Sequence, residues 1–123
     1  MNYGCNGRRA VISGGTSGIG LAAARTLLAD GAEVWLLART ERPQLLAELK
    51  ENYGEKVHFI KCDVANVDCC KATAAQIKNA GSIDFLVNSA GIYREQSMEM
   101  LTETEFEEIF GVNVKGTVFL TQA

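Results

Sequence analysis

Four glycines fall within eight residues, Ser13-Gly14-Gly15-Thr16-Ser17-Gly18-Ile19-Gly20, between two segments of different character. Before them, Ala10 to Ser13 is a short apolar run of the kind that forms a buried strand. After them, Ile19 to Asp30 is rich in Ala and Leu at helical spacing, and Gly31 stops it. A strand that enters a helix this way leaves unpaired N–H groups and the positive end of the helix dipole around the turn. Glycine adds freedom at positive φ and lets a ligand approach the backbone without a Cβ in the way. That combination suits a pyrophosphate. The spacing G-x-x-x-G-x-G is neither the common G-x-G-x-x-G nor a P-loop, because no Gly-Lys-Ser/Thr follows. The competing reading is a tight turn with close helix–strand packing and no ligand.

The rest of the chain repeats the alternation. Glu33 to Ala38 reads as a second buried strand. Pro43 fits the first turn of a helix running to Tyr53, with Gly54 as its stop. Val57 to Cys62 is a third strand. Asn66 caps a helix that ends at Ala80 before Gly81, and Ile83 to Asn88 is a fourth strand. Thr102 and Glu105 form a T-x-x-E capping box for a last helix that runs toward the C-terminus. Short apolar strands, each followed by a helix, imply a parallel sheet covered on both faces. With right-handed crossovers the expected fold is α/β, a Rossmann-type doubly wound parallel sheet of about four strands in the order 3-2-1-4. At 123 residues this is one domain. Residues 1–8 read as a flexible lead-in and 9–123 as a nucleotide-binding domain, the N-terminal half of a larger sheet.

Composition removes several function classes. The 47% apolar and 22% charged content is that of a folded chain, not a disordered one. A net charge of −3 argues against a nucleic-acid partner, which needs a basic face. No apolar run approaches a membrane-spanning length, and Met1 to Arg9 lacks the apolar stretch of a signal peptide. Cys5, Cys62, Cys69 and Cys70 form no C-x-x-C pair, so reduced thiols in a cytoplasmic protein are expected. His58 lacks spaced ligand partners, so no metal site is expected. Trp35 and Asp84 are assigned to structure.

Four motifs, SGGTSGIG at 13–20, CDV at 62–64, NSAG at 88–91 and NVKG at 113–116, stand in an order and spacing that resembles the short-chain dehydrogenase/reductase family. Two positions depart from the family's usual pattern: Ser13 stands where Thr is common, and Ser89 where Asn is common. The resemblance runs from about Arg9 to Ala123. It implies a nicotinamide cofactor held by Ser13, Gly14, Thr16, Ser17, Gly18, Ile19 and Gly20 at the turn. It also places Asp63 and Val64 beside the adenine and Asn88, Ser89, Ala90 and Gly91 beside the ribose. For Asp63 a strand-end turn is the competing reading. An acidic residue ending strand 2 would favour NAD; this chain has Ala38, then Arg39 and Thr40. Arg39 can pair with a 2′-phosphate, so NADP(H) is expected over NAD(H). The alternative is a surface arginine paired with Glu41.

The same resemblance implies carbonyl reduction or alcohol oxidation of a small molecule by hydride transfer. Asn113 matches the Asn that anchors a proton-relay water; its competing role is to cap or kink a helix between Gly111 and Gly116. The family's Ser and its Y-x-x-x-K pair are not found: Tyr3, Tyr53 and Tyr93 are followed four places on by Gly7, Val57 and Ser97. The expectation is therefore a fragment or incomplete product of an oxidoreductase, inactive alone. It should associate through the fourth strand's open edge and through the last helix, which in this family packs on a second subunit. The alternatives are a non-catalytic NADP-binding or interaction module and a Rossmann-like methyltransferase, which the pair Ala38-Arg39 disfavours. Tyr93, Arg94, Met98 and Met100 read as a mobile loop in preference to one wall of a substrate pocket.

Overall fold

A computed structural model describes residues 2–93 and 95–123. Strands and helices alternate as β1 (Arg9–Ser13), α1 (Gly18–Ala29), β2 (Glu33–Ala38), α2 (Pro43–Tyr53), β3 (Val57–Lys61), α3 (Val67–Asn79) and β4 (Phe85–Asn88). A helical segment follows, with α4 (Glu103–Phe110), a π-helical turn (Gly111–Gly116) and α5 (Thr117–Gln122). The four strands form one sheet in the order β3-β2-β1-β4. Every pairing is parallel, and Ile12 lies between Leu36 and Val87. This is the expected doubly wound α/β sheet.

Alternation along the strands sends consecutive side chains to opposite faces. Ala10, Ile12, Val34 and Leu36 pack with Ala24 and Leu28 of α1 and with Leu45, Leu46 and Leu49 of α2. Val11, Trp35 and Leu37 pack on the other face with Cys70, Ile77, Val112 and Leu120. Both faces of β1 and β2 are thereby buried, which explains why these strands read as unbroken apolar runs.

The observed β4 is shorter than the expected strand from Ile83. Asp84 uses its N–H on the Arg9 carbonyl (2.8 Å) and its carboxylate on the Arg9 N–H (2.9 Å). It closes the end of the ladder before the regular pairing starts at Phe85. Arg9 itself anchors that end of the sheet. Its Nε lies 3.0 Å from Glu33 Oε1, its Nη1 donates to the Ser82 carbonyl at 3.1 Å, and its guanidinium covers the Trp35 ring at 4.4 Å. His58 stacks on Trp35 with ring centroids 4.4 Å apart.

The segment expected to be a loose lead-in is fastened to the end of α1. Backbone N–H groups of Tyr3 and Cys5 donate to the Asp30 carboxylate at 3.0 and 2.8 Å, and Gly7 N–H donates to the Gly31 carbonyl at 3.1 Å. The two bonds to its carboxylate, that from Tyr3 first, hold Asp30 below the ordinary aspartate range.

The last helix expected from the sequence is present and runs toward the C-terminus, with one feature the sequence did not show. It starts as expected, with Thr102 Oγ1 accepting the Glu105 N–H at 3.1 Å, and is then interrupted by the π-helical turn between two glycines. Gly116 lets this turn lie on β3's exit: a Cβ there would come within 2.6 Å of Val64 Cγ2. Phe106, Phe110, Val114 and Val118, spaced by four, remain exposed along one side. Among the described residues no helix is long and apolar enough to cross a membrane.

Candidate functional site

The carboxyl ends of β1, β2 and β3 open onto a cleft of about 140 Å³. It is lined by Gly14, Thr16 and Ser17 from the glycine turn, Ala38 at the end of β2 and Arg39 after it, Asp63 and Val64 after β3, and Ala90, Gly91 and Ile92 after β4. Ligands of open α/β sheets bind at this end, where the strand order reverses between β1 and its two neighbours. A larger cavity of about 230 Å³, lined by Val11, Ala74, Ile77, Leu86 and Leu120 among others, shares no residue with the cleft. Its wall is mostly apolar, with Thr73, Lys78 and Thr121 among its polar members.

The glycines of the turn divide into two kinds. Gly14 and Gly20 serve the protein itself. A Cβ on Gly14 would lie 2.8 Å from the Ala90 nitrogen, and one on Gly20 only 2.2 Å from the Gly14 carbonyl oxygen. Gly15 is likewise hemmed in by Leu36. The N–H groups of Gly14 and Gly15 are both spent on the Leu37 carbonyl, at 2.8 and 3.3 Å. Gly18 is different: its φ is +53° and nothing stands within 4 Å of where a Cβ would be. Ser17 precedes the helix in extended backbone, and its hydroxyl does not cap α1. No acidic residue occupies the first turn. The first-turn amides of α1 thus lie at the positive end of the dipole with neither a side-chain cap from Ser17 nor an acidic residue in that turn. The packing reading of the glycine cluster is seen at Gly14, Gly15 and Gly20, while Gly18 is left uncrowded.

Several other expected site residues turn out to brace the cleft. Ser13 is buried, and its Oγ accepts the Ala90 N–H at 3.2 Å, strapping β1 to the loop after β4. Ser89 N–H donates to the Ser13 carbonyl at 3.1 Å. Asn88 donates through Nδ2 to Thr121 Oγ1 of α5 at 3.0 Å and is not among the residues lining the cleft. Asp63 accepts the Ala65 N–H at 3.0 Å on Oδ1, the turn role read from sequence, while also lining the cleft. Asn113 grips the backbone of Ile92 from both sides: its Oδ1 accepts the Ile92 N–H at 2.7 Å and its Nδ2 donates to the Ile92 carbonyl at 2.8 Å. It thereby ties the π-helical turn to the cleft wall. Ile19 and Thr40 stand exposed outside the lining. Tyr93, Met98 and Met100 are exposed and do not line the cleft; Arg94 lies outside the described residues.

Arg39 stands at the lip of the cleft, and the alternative pairing with Glu41 is not formed: no carboxylate among the described residues pairs with it. The residues present therefore fit an adenine dinucleotide: uncapped helix-end amides for its diphosphate, a carboxylate and backbone at Asp63–Val64 for its base, and an uncommitted guanidinium beside its ribose. Sequence reasoning passed over Arg42, which donates from Nη1 to the Thr16 carbonyl of the turn. The available signal was that its helical neighbours at i+3 and i+4, Leu45 and Leu46, offer no carboxylate.

Comparison with known proteins supports the fold. The sequence pattern described as short chain dehydrogenase matches residues 8–123. An uncharacterized oxidoreductase of Mycobacterium bovis is 36% identical over 116 residues, covering 91% of this chain and 46% of the relative. A 3-oxoacyl-[acyl-carrier-protein] reductase of Aquifex aeolicus is 31% identical, covering 99% of this chain and 50% of the relative. The crystal structure of L-sorbose reductase from Gluconobacter frateurii, complexed with NADPH and L-sorbose, superposes with a TM-score of 0.89 at 30% identity, covering 99% of this chain and 48% of that one. The chain spans about half the length of the curated relatives it matches.

Proposed function

The chain belongs to the short-chain dehydrogenase/reductase family, and from that premise we propose that it is the nucleotide-binding half of an NADP(H)-dependent oxidoreductase interconverting a carbonyl and an alcohol. When bound, the nicotinamide supplies or accepts the hydride. The chain's own part is to hold and orient. The α1 amides and dipole bind the diphosphate, Asp63 accepts from the adenine amine with Val64 beside it, and Ala90 and Gly91 leave room along the ribose. Asn113 fixes Ile92 and so the position of the wall after β4. The Ser and the Y-x-x-x-K pair that would polarise the substrate oxygen and move the proton are not in these 123 residues. The chain by itself is therefore expected to bind cofactor without turnover, as a fragment. The exposed stripe Phe106, Phe110, Val114 and Val118 is the surface for a second copy, and four free thiols suit a reducing, cytoplasmic setting.

The observation that carries the cofactor assignment is the unpaired Arg39 guanidinium at the cleft lip, where Ala38 leaves no acid to take a ribose diol. Calorimetric titration with NADPH and NADH tests it. NADPH should bind at least tenfold more tightly, as expected for charge-assisted pairing with a phosphate. Equal affinities, or tighter NADH, would refute it.

A further inference from the structure

We infer that Cys62 and Cys69 form a redox pair beside the cleft, which a peroxide closes to a disulfide that weakens nucleotide binding. The effect on the cofactor rests on the reading proposed above. Cys62 follows β3 and lines the cleft next to Asp63 and Val64, the residues assigned to the adenine. Its backbone N–H donates to the Ala38 carbonyl at 3.0 Å, which ties it to the end of β2. Cys69 stands in the first turn of α3, where Asn66 Oδ1 accepts its N–H at 3.0 Å. The Cys62 thiol hydrogen-bonds with the thiols of Cys69 and Cys70, and all three belong to one apolar cluster.

Exposure divides the roles. Cys62 and Cys70 are buried, and burial pushes both thiols up, Cys62 to about 12, so neither begins the reaction. Cys69 is partly exposed and is the thiol of the three that a small oxidant reaches. Cys70 cannot be its partner, because neighbouring Cα atoms lie about 3.8 Å apart, short of the roughly 4.4–6.8 Å that a disulfide spans. The Cys70 thiol is turned instead to the Val64 carbonyl at 3.4 Å. The Cys69 thiolate attacks one oxygen of hydrogen peroxide. The O–O bond breaks, a sulfenic acid forms, and the departing hydroxide takes up the proton Cys69 released. The Cys62 sulfur, already in contact, attacks the Cys69 sulfur; the S–S bond forms, the S–O bond breaks, and the Cys62 proton leaves with the oxygen as water. Two thiols are oxidised and one peroxide is reduced to two waters. An S–S bond of about 2.05 Å is far shorter than a thiol–thiol hydrogen bond. Closing it draws the end of β3 toward α3 and carries Asp63 and Val64 away from the adenine.

The test treats the chain and its C69S and C70A variants with hydrogen peroxide, alkylates the remaining thiols and maps linked peptides by mass spectrometry. Calorimetry then gives NADPH and NADH dissociation constants for reduced and oxidised protein, each checked for folding by circular dichroism. The expected result is a Cys62–Cys69 link in the unaltered chain and in C70A. Both nucleotides should then bind about tenfold more weakly, the worth of one hydrogen bond at the adenine. Dithiothreitol should restore the affinity, and C69S should neither form the link nor lose affinity. No link, a link from Cys62 to Cys70, a link with affinity unchanged, or an equal loss in C69S would each overturn the proposal. Equal affinity of the reduced chain for NADPH and NADH would refute the NADP(H) preference and leave the switch standing, because the two share the adenine. A reduced chain that binds neither nucleotide would refute both.

Discussion

Gly20→Ala puts a methyl group where the structure has no room for one. Its Cβ would lie 2.2 Å from the Gly14 carbonyl oxygen and 3.1 Å from Ser89 Oγ. The first of these is backbone, tied through the Gly14 N–H to Leu37, and it cannot rotate away. Relief requires α1 to withdraw from the β1 turn by roughly 1 Å, a gap that forfeits a quarter to a half of each dispersion contact it opens. The face that would lift is the one carrying Ala24 and Leu28, both buried against the sheet. Overpacking of this kind costs about 1–3 kcal/mol, occasionally more. The substitution also gains about 1 kcal/mol, because alanine is the better helix former. With a rigid obstacle we place the cost near its upper end, leaving a net loss of about 2 kcal/mol. At a urea dependence of about 1–3 kcal/mol per molar, the unfolding midpoint should fall by about 1 M. Far-ultraviolet circular dichroism in a urea series reads this directly. A G20A midpoint equal to that of the unaltered chain, or above it, would show that propensity outweighs the collision and that α1 is not seated on the turn as described.

Three further outcomes follow from other parts of the molecule. The Asp30 carboxyl is held below its ordinary value, so the docking of the N-terminal segment is at full strength above about pH 4 and is lost as pH falls through the lowered value. Protection of the Tyr3 and Cys5 amides, measured against their intrinsic exchange rates, should fall in that window, and D30A should remove it at every pH; protection indifferent to D30A would contradict the contact. Cys62 and Cys70 are buried whereas Cys5 and Cys69 are partly exposed, so at pH 8 an aromatic disulfide reagent should label Cys5 and Cys69 first, with the other two taking up reagent only on unfolding, as peptide mapping would show. Asn113→Ala removes both bonds to Ile92 and should lower stability by about 1 kcal/mol, solvent making up part of the loss at this exposed site; a urea midpoint that does not move would argue against the grip.

The layer order was legible in the sequence because β1 and β2 are buried on both faces, so their apolar runs could not be mistaken for half-exposed strands. The glycine turn was legible for the same local reason: backbone conformation and close approach leave their mark on the residues that adopt them. What escaped depends on long-range reach. Nothing near Ser13 or Asn88 in the chain shows that one straps Ala90 and the other meets Thr121. The π-helical turn arises from the meeting of Gly116 with Val64 and of Asn113 with Ile92, contacts that no helical periodicity encodes. The start of β4 was misjudged because Ile83 and Asp84 fit a strand pattern, while Asp84 is occupied with both backbone and carboxylate at Arg9. Arg42 escaped because its contact with Thr16 bridges two crossover units.

The sandwich at the far end of the sheet gives the chain an optical probe of its own. Trp35 is the single tryptophan, and it is held between a guanidinium from β1 and an imidazole from β3. Its emission therefore reports whether three neighbouring strands are assembled, without any attached dye. Intensity and wavelength should change together when they part, so one inexpensive fluorescence signal can follow the folding of every variant described above.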